Sequence, residues 1–164
     1  MPTYNSFAGR ITEINDFFTS ENELVGCYKL MTVQNREGNI VNFVVSPSTY
    51  FVDHTTMEIG NPVIGFYDSD APVPLIYPPQ YKALVMSRTS RTHNIKVDFF
   101  NNQLISSDGL LKLNIAPSTQ ILLENAQTFT QNLKNRYLII IYGSTTRSIP
   151  AQTTPYLVIV MCSQ

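Results

Sequence analysis

The sequence has no tryptophan, only two histidines and two cysteines, and little charge: Asp, Glu, Lys and Arg make up 14% of it. A typical globular chain carries about a quarter. Each shortage excludes something. His54 and His93 lie far apart, as do Cys27 and Cys162, so there is no CxxC and no zinc-ligand spacing. No Ser or Cys stands in a GxSxG context, and neither GxGxxG nor GxxxxGK[ST] occurs. Neither a nucleophile elbow nor a phosphate cradle is therefore expected. No apolar run approaches the roughly 18 residues of a membrane span. The longest, Tyr137–Tyr142 and Tyr156–Cys162, are strand-length. Met1–Arg10 lacks a basic stretch followed by an apolar one, so no signal peptide is expected. The expected location is intracellular at synthesis, which leaves room for incorporation into a spore or other particle. In that compartment the cysteines read as buried thiols, with one disulfide as the alternative.

What is present is a polar but uncharged surface rich in Asn, Ser, Thr, Gln and Tyr, around a hydrophobic content of 43%. Such a surface repels copies of itself only weakly. The net charge of −1 conceals an asymmetry. Residues 1–88 hold five Lys/Arg against nine Asp/Glu (−4), and residues 89–164 hold six against three (+3). Halves of opposite sign can orient one against the other, or one subunit against the next.

Three groups of segments recur in order. Asp16-Phe17-Phe18 returns as Asp98-Phe99-Phe100. Glu37–Thr49, with its Gly38 turn and Pro47-Ser48-Thr49, returns as Asp108–Thr119, with Gly109 and Pro117-Ser118-Thr119. Ile64-Gly65-Phe66-Tyr67, Tyr77-Pro78-Pro79-Gln80 and Val85-Met86 return as Ile140-Ile141-Tyr142, Ile149-Pro150-Ala151-Gln152 and Val160-Met161. Order-preserving self-similarity marks an internal repeat. It gives two units, 1–88 and 89–164, with the second expected to pack against the first.

Each unit reads as strands. Arg10–Asn15 alternates apolar and polar at period 2, and Ile40–Val45 is rich in β-branched residues. Cys27–Val33, Tyr50–Val52, Pro62–Tyr67 and Lys82–Met86 complete the first unit. The second offers Ile95–Phe100, Gln103–Ser106, Leu110–Ile115, Gln120–Leu123, Tyr137–Tyr142 and Tyr156–Cys162. Pro47 cannot donate to a ladder, so a bulge or edge is expected there. Only Asn125–Asn135 is a candidate short helix. The fold class is all-β: two tandem diverged repeats, each in outline a small five-stranded OB-like barrel. A single β-sandwich made of both repeats is the alternative.

Gly60-Asn61-Pro62-Val63-Ile64 resembles the Gly-Asp-x-Val lead into the fourth strand of many bacterial OB-type domains. Tyr67–Met86, with its Tyr-Asp strand end and Pro-Pro-Gln, resembles the tail of small uncharacterised OB-like proteins from spore-forming Gram-positive bacteria. Thr146–Gln152 is similar to the same element. The resemblance covers about a fifth of the chain and implies no activity, cofactor or ligand.

Candidate chemistry is sparse. His54 follows Asp53, but strand neighbours point to opposite faces, so neither orients the other. Asp68-Ser69-Asp70 is a turn sequence without an EF-hand loop. The reading is no enzyme, no cofactor and no metal. OB barrels bind single strands by stacking bases in a basic groove, and Phe17, Phe18, Phe99, Phe100, Tyr77 and Tyr81 offer rings, with Arg88, Arg91 and Lys96 as contacts for an anionic ligand. Three cations give little counterion release, so nucleic acid ranks second. The most distinctive segment is Pro72–Tyr81, whose prolines fix an extended backbone. It either plugs its own barrel end or presents Leu75, Ile76, Tyr77 and Tyr81 to a partner, with Arg147 and Ile149 as the counterpart of the second unit. The function expected first is structural or assembly work, with a homo-oligomer or another protein as partner. The unshared parts, the acidic hairpin Asp16–Glu23 on one side and the basic junction and Arg147 on the other, would then carry specificity.

Overall fold

The computed structural model of the chain describes residues 2–18 and 26–162, so most of the hairpin Asp16–Glu23 lies outside the described residues. The protein is all-β: thirteen strands and one 3-10 turn, Val52–His54, with no α-helix among the described residues. It divides into two compact units, Met1–Thr89 and Ser90–Gln164.

In the first unit, β1 (Tyr4–Asp16) serves two partners. Its first half pairs with β5 (Pro62–Asp68) and its second half with β2 (Lys29–Gln34), both antiparallel. A register shift between Ile11 and Glu13 lies where the strand passes from one partner to the other, as bulges that bend strands do. β2 continues through the Asn35–Gly38 turn into β3 (Ile40–Val45). Gly38 adopts φ 87° there, which a side chain would disfavour. β6 (Gln80–Lys82) runs parallel to β3, and β7 (Val85–Arg88) antiparallel to β5. One continuous segment thus joins the two ends of the sheet. The crossover is at Ala83-Leu84: Ala83 N–H donates to Val44 O (3.0 Å) and Leu84 N–H to Phe66 O (2.8 Å). β4 (Tyr50–Phe51) lies parallel beside β7. Inward positions of alternating strands, including Ile11, Val33, Phe43, Val63 and Met86, form the core.

The second unit repeats these pairings. β8 (Asn94–Phe100) pairs with β11 (Arg136–Tyr142), and β11 with β13 (Leu157–Val160), both antiparallel. β9 (Leu111–Leu113) runs parallel to β12 (Ala151–Thr153), and β10 (Gln120–Leu123) parallel to β13. The second strand shrinks to the bridges Phe100↔Ser106 and Ile105↔Lys112.

Register fixes the equivalences. Asn42↔Gln80 answers Lys112↔Gln152, and Phe51↔Met86 answers Ile121↔Val158. Gly65↔Met86 answers Ile140↔Val158. The Pro-Ser-Thr and Pro-x-Gln matches keep their places, and both Tyr77–Pro78 and Ile149–Pro150 are cis. Two matches are corrected. Phe7↔Gly65 answers Lys96↔Ile140, which sets Asp98-Phe99-Phe100 opposite Gly9-Arg10-Ile11, not Asp16-Phe17-Phe18. Val85-Met86 corresponds to Leu157-Val158, not Val160-Met161.

Three further expectations are overturned. Asn125–Asn135 is a loop: Asn125 and Asn132 side chains accept from the N–H groups of Gln127 (3.2 Å) and Lys134 (2.9 Å), which competes with a helix. Both cysteines are free and exposed, so neither is a buried thiol. Pro47 sits in a turn closed by Thr49 N–H to Ser46 O (3.1 Å), beyond the end of β3.

Candidate functional site

The loops between β5 and β6 (69–79) and between β11 and β12 (143–150) occupy the same place in the two units. The first carries four prolines in residues 72–79. Its root is pinned where Ser69 N–H and Oγ both donate to Thr3 O at 2.8 Å, and where Asp68 Oδ1 accepts from Asp70 N–H (2.9 Å). The second has fewer prolines and is cross-bonded. Thr146 N–H donates to Gln152 O and Gln152 N–H to Thr146 Oγ1, each at 2.9 Å, while Ser148 Oγ donates to Pro150 O (2.8 Å).

Both loops turn apolar side chains outward. Leu75 is fully exposed and Ile76 more than half so. Tyr77 is 79% exposed, and Ile149, its equivalent before the cis proline, 88%. This overturns the plug reading of the loop. Arg147 is exposed beside Ile149. Tyr81 is the one candidate that turns back: half-buried against the core, it stacks on Tyr67 with ring centroids 3.8 Å apart and planes 4° from parallel. Leu110 is a contributor that sequence reading assigned to strand. Exposed itself, it accepts from Ala151 N–H (3.0 Å) and therefore lies beside Ile149-Pro150.

The three cations proposed for an anionic ligand fall in different settings. Arg88, exposed, donates from Nη2 to Thr56 O (3.3 Å) in the first unit, whereas Arg91 is exposed in the second. Lys96 is taken by Asp108 at 2.6 Å. Burial alone would raise the Asp108 carboxyl, but Lys96, the Ser106 hydroxyl and Leu110 N–H together hold it below the ordinary carboxylate value. Of the proposed stacking rings, Phe100 is fully buried and Phe99 meets Tyr137 edge-on. The first unit also has an open cavity of about 630 Å³ whose lining includes Arg10, Gln34, Arg36 and Glu37. Arg10 donates from Nη1 to Gly60 O (2.9 Å) there.

Burial, then the neighbouring Tyr81, pushes the Tyr67 phenol above its ordinary value. A raised pKa means the folded state holds that proton more tightly. The associated stabilisation is present at neutral pH and is lost as pH rises through the folded value. Tyr81→Phe should bring the Tyr67 phenol partway down in a tyrosinate absorbance titration, leaving Tyr142, which burial also raises, to titrate late. An unchanged curve would mean the two rings do not interact as their geometry indicates.

Asp53 and His54 are both exposed, with φ of 63° and 50°, and His54 meets Tyr50 edge-on at 5.7 Å. Among the described residues no group of three or more His, Cys, Asp or Glu is placed to hold a metal ion, and no helix is long and apolar enough to cross a membrane. Comparison with protein-family models, with curated proteins and with solved structures gives no match.

Proposed function

We propose that the chain is a non-enzymatic assembly or protein-interaction protein, built as two tandem OB-type barrels descended from one duplicated unit, whose binding elements are the loops 69–79 and 143–150. The barrel reading is supported by the strand order: a meander of three strands, a fourth paired back on the first, and a last strand that joins the third to the fourth. Because every strand pairing lies within one unit or the other, two barrels account for the pairing better than one sandwich of both repeats, although the second unit divides into sheets of four and two strands. Small OB barrels engage ligands through the face of strands two and three and through the loops at its rim, including the one between strands four and five. Here that loop is 69–79, and 143–150 in the second unit.

The observation that carries the proposal is the solvent exposure of Tyr77 and Ile149, one large apolar side chain at the same position of each unit. Large apolar groups held out on rigid loops are the usual anchors of protein interfaces. The face that would bind a nucleic acid strand is poorly equipped. Positions of β2 and β3 that reach solvent on that face carry Leu30, Thr32, Gln34, Ile40 and Asn42, with neither a ring for stacking nor a cation, and the second unit has Lys112 in the place of Asn42. Kinship with the Pro-Pro-Gln-tailed β proteins of spore-forming bacteria, and a place inside the cell or in a spore-like particle, belong to the same proposal.

A photo-crosslinking residue at position 77 or 149 tests it. Discrete protein adducts are expected from both positions and none from a control at Lys134, exposed on another loop. Retention on heparin or an oligonucleotide that disappears in Arg88→Ala/Arg91→Ala, with no adduct at 77 or 149, would favour the nucleic-acid reading instead.

A further inference from the structure

The two equivalent loops share a position and an exposed apolar side chain but differ in charge. Loop 69–79 follows Asp68 and contains Asp70, with no cation between Asp68 and Gln80. Loop 143–150 contains Arg147 and no acidic residue. The same sign difference extends to the whole units, −4 over residues 1–88 and +3 over 89–164. Asp70 and Arg147 are both exposed, and both loops are held at their roots by the bonds described above. Each therefore presents its face with little entropy left to lose on docking.

We propose that the partner of loop 69–79 is loop 143–150 of a second copy of this chain, so that molecules associate head to tail. This rests on the reading of the loops as protein-interaction elements and names their occupant. Two copies of loop 69–79 would bring Asp70 against Asp70, and two copies of loop 143–150 Arg147 against Arg147. Both like-charge pairings are disfavoured, whereas the mixed pairing sets Asp70 against Arg147 around Leu75, Tyr77, Leu110 and Ile149. The contact is heterologous: a pair joined this way keeps one unused face of each kind, so association continues past the dimer unless the geometry closes a ring. The low overall charge leaves little general repulsion to oppose it.

Sedimentation velocity from micromolar to millimolar concentration reads this out. The wild-type mass average is expected to rise with concentration beyond that of a dimer, and to fall back in high salt as the charge pairing is screened. Tyr77→Arg puts a cation where Arg147 arrives, and Ile149→Glu an acid where Asp70 arrives. Each variant alone should be monomeric, and their equimolar mixture should associate again, since each variant's intact loop meets the other's and the two introduced charges are of opposite sign. Asp70→Lys should abolish association, and adding Arg147→Asp to it should restore it. Asp70 is chosen over Asp68 because its side chain is free of the turn that Asp68 closes. Thermal melts check folding, and Tyr77→Ser with Ile149→Ser carries the same contrast if a charged variant is unfolded. A wild type that stays monomeric throughout overturns self-docking; crosslinked adducts to another protein would leave the broader interaction role standing. Association persisting in either single variant, or charge-swapped chains that fail to reassociate, overturns the head-to-tail pairing.

Discussion

Gly65→Ile is expected to destabilise the first unit by about 1–3 kcal/mol or more, the range for overpacking a filled core, and Phe43→Leu in the same chain is expected to recover most of the loss. Gly65 has no positive φ to protect, so its backbone accepts a side chain. Space is the obstacle: a Cβ built there would lie 2.6 Å from the Phe43 ring. That ring is fully buried and fills the volume over the glycine. Register makes Ile140 the equivalent of Gly65 and Leu113 the equivalent of Phe43. Both are buried in the core of the second unit. One unit fills the layer with a large residue over none, the other with two medium ones, and volume-conserving exchanges of that kind are the best tolerated. Urea unfolding of Gly65→Ile, Phe43→Leu and the double variant measures the coupling. A double variant no more stable than Gly65→Ile would mean the two layers are not interchangeable.

The turns and most strands were legible because local chemistry specifies them. Gly38 and Gly109 mark turns with positive φ, Ile40–Val45 stands where its β-branched run indicates, and Gln120–Leu123 where its short apolar run does. The first half of β1 was not, because Tyr4–Gly9 lacks clean alternation: it is held by pairing with β5, a contact distant in sequence. β6 and β12 were hidden beside prolines that look like loop, although each needs only three residues to join β3 or β9. Asp98-Phe99-Phe100 misleads because it matches Asp16-Phe17-Phe18 in residue type and not in strand pairing. Its true counterpart, Gly9-Arg10-Ile11, shares only the burial of Phe100 with Ile11. The candidate loops were visible in the sequence but their orientation was not. An apolar run reads as buried by default, and nothing local says that Leu75 and Tyr77 face water while Tyr81 folds back on Tyr67.

Thr119→Val should lower the stability of the second unit by about 1–3 kcal/mol, the usual penalty for orphaning buried polar groups, and more than Thr49→Val lowers the first. The two threonines make one clamp twice. Thr49 Oγ1 accepts from Ser46 N–H (3.0 Å) and donates to Ala83 O (2.7 Å). Thr119 Oγ1 accepts from Ala116 N–H (3.3 Å) and donates to Pro155 O (2.8 Å). Each hydroxyl therefore ties the Pro-Ser-Thr turn to the bend where the last strand changes partners. What differs is the support available without it. In the first unit Ala83 N–H also bonds Val44 O, holding the bend by a second route. In the second, Pro155 has no N–H to offer, so the side chain of buried Thr119 carries that part of the closure itself. Valine keeps the shape and removes the hydroxyl, so its effect reports the bonds; Thr119→Ser keeps the hydroxyl and should stay near wild type. Hydrogen exchange resolved by residue, run beside chemical denaturation, should show faster exchange at Gln120 and Tyr156 in Thr119→Val. Equal effects of the two valine substitutions would remove the argument that the proline makes the second clamp the more critical one.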